Sequence, residues 1–275
     1  MDGHAERAFG LCGRALFFGS AAISLTFPGS PVLGQTFNPD PVEQVGVAIQ
    51  LEKPLLDDAL VLAGYSSILE ADALIPLGSA SLQIGLPVAF AGADFVDGTS
   101  VYVGNARASL LFGAPGALTS FIGITLPTAS NISGPDLAVL VGALPWLGEP
   151  EKWVEDNFTV GGGVLPARRF ANGGQVGLRL GGVAFVRTGF ENLNIDARAA
   201  GWAHIAAGAA ELRADVATSY MITSDDGFGD QFTAYLDLGA SFAAVVGQPG
   251  LFIRIPLDGD GRRVHDLSIG MSFGF

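Results

Sequence analysis

The segment Leu267-Ser268-Ile269-Gly270-Met271-Ser272-Phe273-Gly274-Phe275 alternates large apolar with small side chains up to its last residue. Successive side chains of a strand point to opposite faces. Leu267, Ile269, Met271, Phe273 and Phe275 therefore share an apolar face, and Ser268, Gly270, Ser272 and Gly274 share the other. Lipid against the first face and a lumen against the second is the split of an outer-membrane barrel strand. An edge strand of a two-sheet sandwich alternates in the same way, so the rest of the chain has to decide.

Composition narrows the choice. Mean hydropathy is positive, yet no run of about eighteen uninterrupted apolar residues occurs, which argues against helical membrane spans. A barrel distributes its hydrophobicity by alternation instead. Arg7 and Arg14 precede a mostly apolar run from Ala15 to Phe27, followed by Pro28-Gly29-Ser30-Pro31-Val32-Leu33-Gly34. This pattern predicts an export signal over 1–34, with cleavage after Gly34 and a barrel over 35–275. Cys12 lies in that leader, so thiol chemistry and disulfides are not expected of the mature chain. The 14 basic residues against 27 acidic ones, a formal charge of −13, exclude a nucleic-acid partner that needs a basic face.

Alternation predicts an all-β fold, a transmembrane antiparallel barrel of about twelve strands. Val45, Val47, Ile49 and Leu51 form one stripe, and Leu82, Ile84, Leu86, Val88 and Phe90 another. Further stripes are Leu118, Ile122, Ile124 and Leu126, then Val176, Leu178, Leu180, Ala184 and Val186, then Phe232, Ala234, Leu236, Leu238 and Phe242. If the last strand ends in the periplasm, the connections near 77–79, 113–117, 170–174, 207–209 and 246–250 fall on that side, and all are short. Those near 53–59, 91–99, 129–156, 189–194, 223–230 and 258–263 fall outside and are longer and more acidic. That asymmetry belongs to an outer-membrane barrel and not to a sandwich.

Two stretches fit less directly. Residues 197–217 are Ala-rich, and Trp202, Ile205, Ala209, Leu212 and Val216 also recur at helical spacing. Two strands hinged near Ala207 are the preferred reading, because a helix would break strand parity and leave unpaired edges. The long external loop near 129–156 contains an apolar run from Pro135 to Trp146. Ser133 and Asp136 have capping-box spacing, Pro145 is a stop, and Leu137, Leu140, Val141 and Leu144 would share a helical face. Leu137, Leu140, Leu144 and Trp146 are the expected gating residues, with an ordinary packed loop as the alternative.

The same parity turns Glu70, Asp72, Arg107, Arg179, Arg187, Asp196, Arg198, His204, Glu211, Arg213, Asp215, Asp237 and Arg254 inward. Charges at membrane depth need a hydrated or mutually paired interior. Arg107, Arg179, Arg187, Arg198, Arg213 and Arg254, opposed by Glu211, Asp215 and Asp237, are the expected lumen lining. A salt-bridge network that fills the barrel is the alternative. About twelve strands lies between packed eight-stranded barrels and open porins, so a wide pore is not expected.

Chemistry is poorly supported. His4 falls in the leader, and neither His204 nor His265 has the His-x-Ser spacing of barrel phospholipases. His265-Asp266 with Ser268 is only a loose cluster. No zinc site can be assembled, and no cofactor or metal is expected. Asp258-Gly259-Asp260 and Asp225-Asp226 lack the spacing of a calcium loop and read as solvated acids. Gly161-Gly162-Gly163 lacks the continuation of a phosphate loop and reads as a site of close backbone packing.

Gly85-Leu86-Pro87, then Val103-Gly104-Asn105-Ala106-Arg107-Ala108-Ser109-Leu110-Leu111-Phe112, then Ile124-Thr125-Leu126-Pro127-Thr128 follow one another in an order that resembles the outer-membrane barrel family named for the meta-pathway of phenol degradation. Its members show an early strand with Pro, a strand opening with Gly-Asp and a strand ending in Leu-Pro-Thr-Gly. Here Asn105 stands for the Asp, and Ala129 for the final Gly. The terminal Phe275 resembles the signal read by the barrel-assembly machinery. The resemblance implies an outer-membrane location, the lipid bilayer as surroundings, and passive, loop-gated passage of small solutes, hydrophobic or aromatic ones among them. A sealed structural or surface-interaction barrel is the rival expectation, and a lipid-modifying barrel enzyme ranks behind both.

Overall fold

Backbone pairing runs right round the sheet and meets itself. The computed structural model describes residues 45–56, 65–92, 99–113, 118–133, 138, 149–171, 173–187, 194–223, 232–242, 247–259 and 265–275. The strands are β1 (Gly46–Leu56), β2 (Tyr65–Pro76), β3 (Ala80–Gly92), β4 (Ser100–Val103), β5 (Arg107–Gly113), β6 (Leu118–Thr125) and β7 (Ser130–Ser133). They continue with β8 (Asn157–Arg169), β9 (Gln175–Arg187), β10 (Asn194–Ala207), β11 (Ala210–Met221), β12 (Phe232–Phe242), β13 (Gln248–Pro256) and β14 (His265–Gly274).

Two pairs of these strands are halves of one stave. β3 pairs with β5 along Ala80↔Phe112 to Gly85↔Arg107, and with β4 along Val88↔Val103 to Ala91↔Ser100. β6 pairs with β5, and β7 with β4. The staves are thus interrupted at 104–106 and 126–129, and the sheet is a closed antiparallel barrel of twelve staves. β1 closes the ring against β14, with Ile49↔Phe273 and Leu51↔Met271 in register. Phe275 N donates to Val47 O at 2.8 Å, and Val47 N donates to Phe275 O at 3.2 Å. Closure matters because lipid offers no partner to an open edge.

The alternation sorts side chains as the sequence predicts. Ile49, Leu51, Leu178, Leu180, Ile269 and Met271 are exposed on the outer wall, while Gln50, Glu52, Ser268 and Ser272 are buried inside. In the Ala-rich stretch β10 and β11 pair from Asp196↔Met221 to Ala207↔Ala210. Gly208 makes the turn at φ 67°, a left-handed conformation that favours glycine. Trp202 points inward and is buried, whereas Ile205, Leu212 and Val216 face out. A helix would have put all four on one side.

The interior is layered. At the long-loop end Ile68, Ala89, Ala91, Tyr102, Ala138 and Trp153 form an apolar layer. At the short-turn end Leu111, Phe121 and Leu165 form another. Charged groups fill the space between. Of the expected helix only Ala138 is described; it is buried in the upper layer, and its N–H donates to Ser100 Oγ at 3.2 Å. Leu137, Leu140, Leu144 and Trp146 lie outside the described residues, as does the leader over 1–34.

Leu180, which is 47% exposed on the outer wall of β9, tests this assignment. Leu180→Arg is expected to lower stability in bilayers by about 2–4 kcal/mol, the range for arginine near the midplane. The measurement is denaturant unfolding followed by heat-modifiable gel migration. A variant as stable as the parent would place Leu180 off the lipid face.

Candidate functional site

The interrupted staves create the most elaborate structure inside the barrel. Where β4 gives way to β5, the chain at Gly104 and Asn105 leaves the ladder and grips a segment, 149–154, that lies inside the lumen. Asn105 N donates to Lys152 O at 2.7 Å. Its side-chain amide donates to Glu151 O and to Val154 O, both at 2.7 Å. Asn105 Oδ1 accepts from Ala129 N at 2.7 Å, which ties in the second interrupted stave. Both amide hydrogens and the carbonyl oxygen of the side chain are engaged, and it is fully buried. Gly104 is required beside it, since a Cβ there would sit 2.4 Å from Lys152 O and 2.8 Å from Pro87 Cγ.

The three sequence motifs meet at this junction. Gly104 N donates to Pro87 O at 2.8 Å, and Leu126 N donates to Ala106 O at 2.8 Å. Thr128 Oγ1 accepts from Ala106 N at 2.7 Å and donates to Gly104 O at 3.3 Å. The Pro strand, the Gly-Asn opening and the Leu-Pro-Thr ending are one device. It breaks two staves and seats the internal segment. Asn105 needs to be an amide here because it donates to two carbonyls, which a carboxylate cannot do.

From this seat, neighbouring side chains reach opposite walls. Lys152 Nζ pairs with Glu70 of β2 at 3.2 Å and with Glu149 at 2.7 Å. Glu151 takes the fork of Arg198 on β10 at 2.6 and 2.7 Å. In the ring β10 lies six staves from β2, directly across the lumen. Trp153 completes the anchor: its carbonyl accepts from Tyr102 Oη at 3.0 Å, and its ring packs against Tyr102 with centroids 6.4 Å apart. Segment 149–154 is therefore a crossbar. Burial on its own would raise the Glu149 carboxyl, but Lys152, Arg198, Arg107 and Arg179 outweigh it and hold that group well below the usual carboxylate range.

The other inward charges fall into two groups. Beside the crossbar, Arg107 pairs with Glu70 and, at 2.9 Å, with Asp72. Arg179 stacks its guanidinium over Phe121 at 4.9 Å. Around the other wall Arg254 forks onto Asp237 at 2.9 Å through two bonds, reaches Glu52 at 3.3 Å and lies over Tyr235 at 4.9 Å. Arg213 pairs with Asp215, and His204 with Glu211 at 3.1 Å. The side chains of Arg187 and His265 lie outside the described residues.

Between these groups β8 and β9 carry glycines among inward side chains that include Thr159, Arg179, Val183 and Phe185. Gly161 and Gly163 on β8 face Gly182 and Gly181 on β9 in close backbone contact, and a Cβ on Gly163 would come within 2.2 Å of Leu180 O. The wall borders a cavity of about 50 Å³ lined by Arg107, Phe121, Gly161, Arg179, Arg198 and Glu149.

Comparison with known proteins places this geometry. No family model matches the chain, and no curated protein matches it either. Solved structures do. An outer membrane channel from Pseudomonas putida F1 superposes with a TM-score of 0.55 at 11% identity, covering 86% of this chain and 97% of that one. The chain has the fold of an outer-membrane β-barrel. LpxR from Salmonella typhimurium aligns with a TM-score of 0.48 at 13% identity over 84% of this chain and 99% of its own. The translocator domain of the autotransporter NalP from Neisseria meningitidis aligns with a TM-score of 0.45 at 10% identity over 84% and 88%. An outer-membrane location follows from the closed twelve-stave barrel with its apolar outer wall.

Parity reasoning reached the wall charges but missed Glu52, Glu149, Glu151, Lys152, Trp153 and the role of Asn105. The crossbar residues have no strand parity to read, whereas Glu52 stands on β1 at the same inward parity as Gln50. The usable signal was local: Glu149-Pro150-Glu151-Lys152-Trp153 puts three charges and a large aromatic beside an apolar run.

Asn105→Asp is expected to destabilise the barrel by about 3 kcal/mol, because two donors are lost and a carboxylate is pressed against carbonyl oxygens. Chemical unfolding measures this, and a loss under about 0.5 kcal/mol would remove Asn105 as the seat of the crossbar. Acid gives an independent test. Glu149 has its carboxyl lowered from the ordinary 4.5, so its contribution is complete above that pH and is lost as pH falls below it. Trp153 fluorescence should therefore hold steady from pH 7 down to about 5 and change in stronger acid, with that acid change reduced in Glu149→Gln.

Proposed function

We propose that this chain is a passive outer-membrane channel for small solutes, related to the barrel family named for the meta-pathway of phenol degradation. The crossbar carries the reading: a segment seated in broken staves and tied to both walls narrows the lumen without filling it. Beside it Gly161 of β8 borders a small cavity, while the Phe121 ring covers Gly163 and Gly181. The match in fold and extent with the Pseudomonas putida channel is consistent with this. Arg107, Arg179, Arg198, Arg213 and Arg254, with Glu211, Asp215 and Asp237, set the field along the path, and no covalent chemistry is involved. Restriction of entry belongs to 149–154 in this reading. Phe275, at the strand end that closes the ring, is the residue offered to the assembly machinery.

One observation favours the rival, a sealed barrel. Arg254, Asp237 and Glu52 pair with one another in a buried cluster on the opposite wall, the arrangement of a filled interior. The two readings separate in a planar bilayer. The refolded chain should give discrete conductance steps, and Trp153→Ala, which removes the crossbar's anchor, should raise the step size severalfold. Silence from both proteins, each showing folded gel migration, would establish the sealed barrel instead.

A further inference from the structure

Arg198 is held by the wall in a way that prepares it for a carboxylate. Its Nε donates to Asp196 Oδ2 at 2.8 Å. Ser219 Oγ lies 2.7 Å from each oxygen of Asp196 and donates its one hydrogen to that carboxylate, which fixes it in turn. Arg198 and Asp196 stand on β10 and Ser219 on β11, paired strands whose backbone cannot drift. The opposite edge of the guanidinium, Nη1 and Nη2, is left as a flat fork of parallel donors, the geometry that matches a planar carboxylate through two bonds.

In this structure the fork holds Glu151, at 2.6 and 2.7 Å. Glu151 differs from the rest of the set because it stands on the crossbar and not on a strand. Any displacement of the crossbar takes Glu151 with it and leaves a buried guanidinium with one carboxylate fewer. That state is strongly unfavourable unless another anion replaces Glu151. The cavity that adjoins the fork is where the replacement would enter. Arg107 and Arg179 border it together with Glu149 and Glu151, and Phe121 and the backbone of Gly161 supply an apolar and a polar wall.

We infer that Arg198 is a binding site for a small organic carboxylate and that Glu151 occupies it as an internal stand-in. Solute and crossbar compete for one fork, so a carboxylate solute opens the path it travels. The inference rests on the channel reading and narrows it to a solute class. A neutral molecule of the same shape has no means of displacing Glu151.

The test uses the full refolded chain with propionate as probe and propionamide as its uncharged counterpart, read by titration calorimetry and by bilayer conductance. Propionate should bind and raise conductance, and propionamide should do neither. Glu151→Gln removes the competitor's charge while keeping its shape. It should raise basal conductance and tighten propionate binding by on the order of tenfold, the loss of one charge-assisted bond pair. Arg198→Gln should abolish the propionate response. Unchanged propionate affinity in folded Glu151→Gln overturns the inference, and this arm decides even if Arg198→Gln fails to fold. Conductance steps indifferent to propionate leave the channel standing and remove the carboxylate site. Propionate binding by a folded barrel that never conducts keeps the site and removes the channel.

Discussion

In the hydrocarbon of a bilayer a backbone N–H or C=O without a partner is unfavourable by several kcal/mol, so a sheet there must close on itself. That requirement organises the molecule. It forces β1 onto β14 and places Val47 and Phe275 in mutual hydrogen bonds. It also makes two strands of the Ala-rich stretch, where residue spacing alone would also support a helix. Once the ring is closed, every side chain has only two destinations. Most large apolar ones meet lipid, a smaller set such as Ile68, Leu111, Phe121 and Leu165 packs inside, and the charged ones are committed to an interior that must satisfy them.

The interior meets that demand by pairing charge with charge. Arg254 with Asp237 and Glu52, and Arg198 with Asp196 and Glu151, are each arginines with two carboxylates, buried almost completely. Desolvation of such groups opposes folding strongly, and loss of one partner typically costs about 3–5 kcal/mol. The two clusters differ in kind. Around Arg254 every member stands on a strand. Around Arg198 one member stands on the crossbar, so that cluster joins a rigid wall to a segment that is not part of the sheet.

The crossbar depends on local failure of the sheet. Two adjacent staves break at the same level, and the backbone groups freed at Asn105 and Ala106 are satisfied by Lys152, Thr128 and Leu126 instead of a neighbouring strand. Gly104 lets the segment approach, and Asn105 holds it. Short motifs that look like unrelated punctuation along the chain are thus three sides of one joint. Asn105 is an amide because its side chain donates two bonds, to Glu151 O and to Val154 O.

The wall was legible from the sequence because strand parity is a local, period-two property. Ile269 facing out and Ser268 facing in follow from adjacency alone. The turns were legible for the same reason, since each ends an alternation. Asn105, Glu151 and Lys152 were not, because their roles depend on what lies across the barrel and on residues with no parity. The sequence by itself determined an alternating, all-β, lipid-facing chain with charged residues turned inward. Only the tertiary structure decided which charges meet, since closure of the ring alone places β2 opposite β10 and lets Lys152 and Glu151 bridge them.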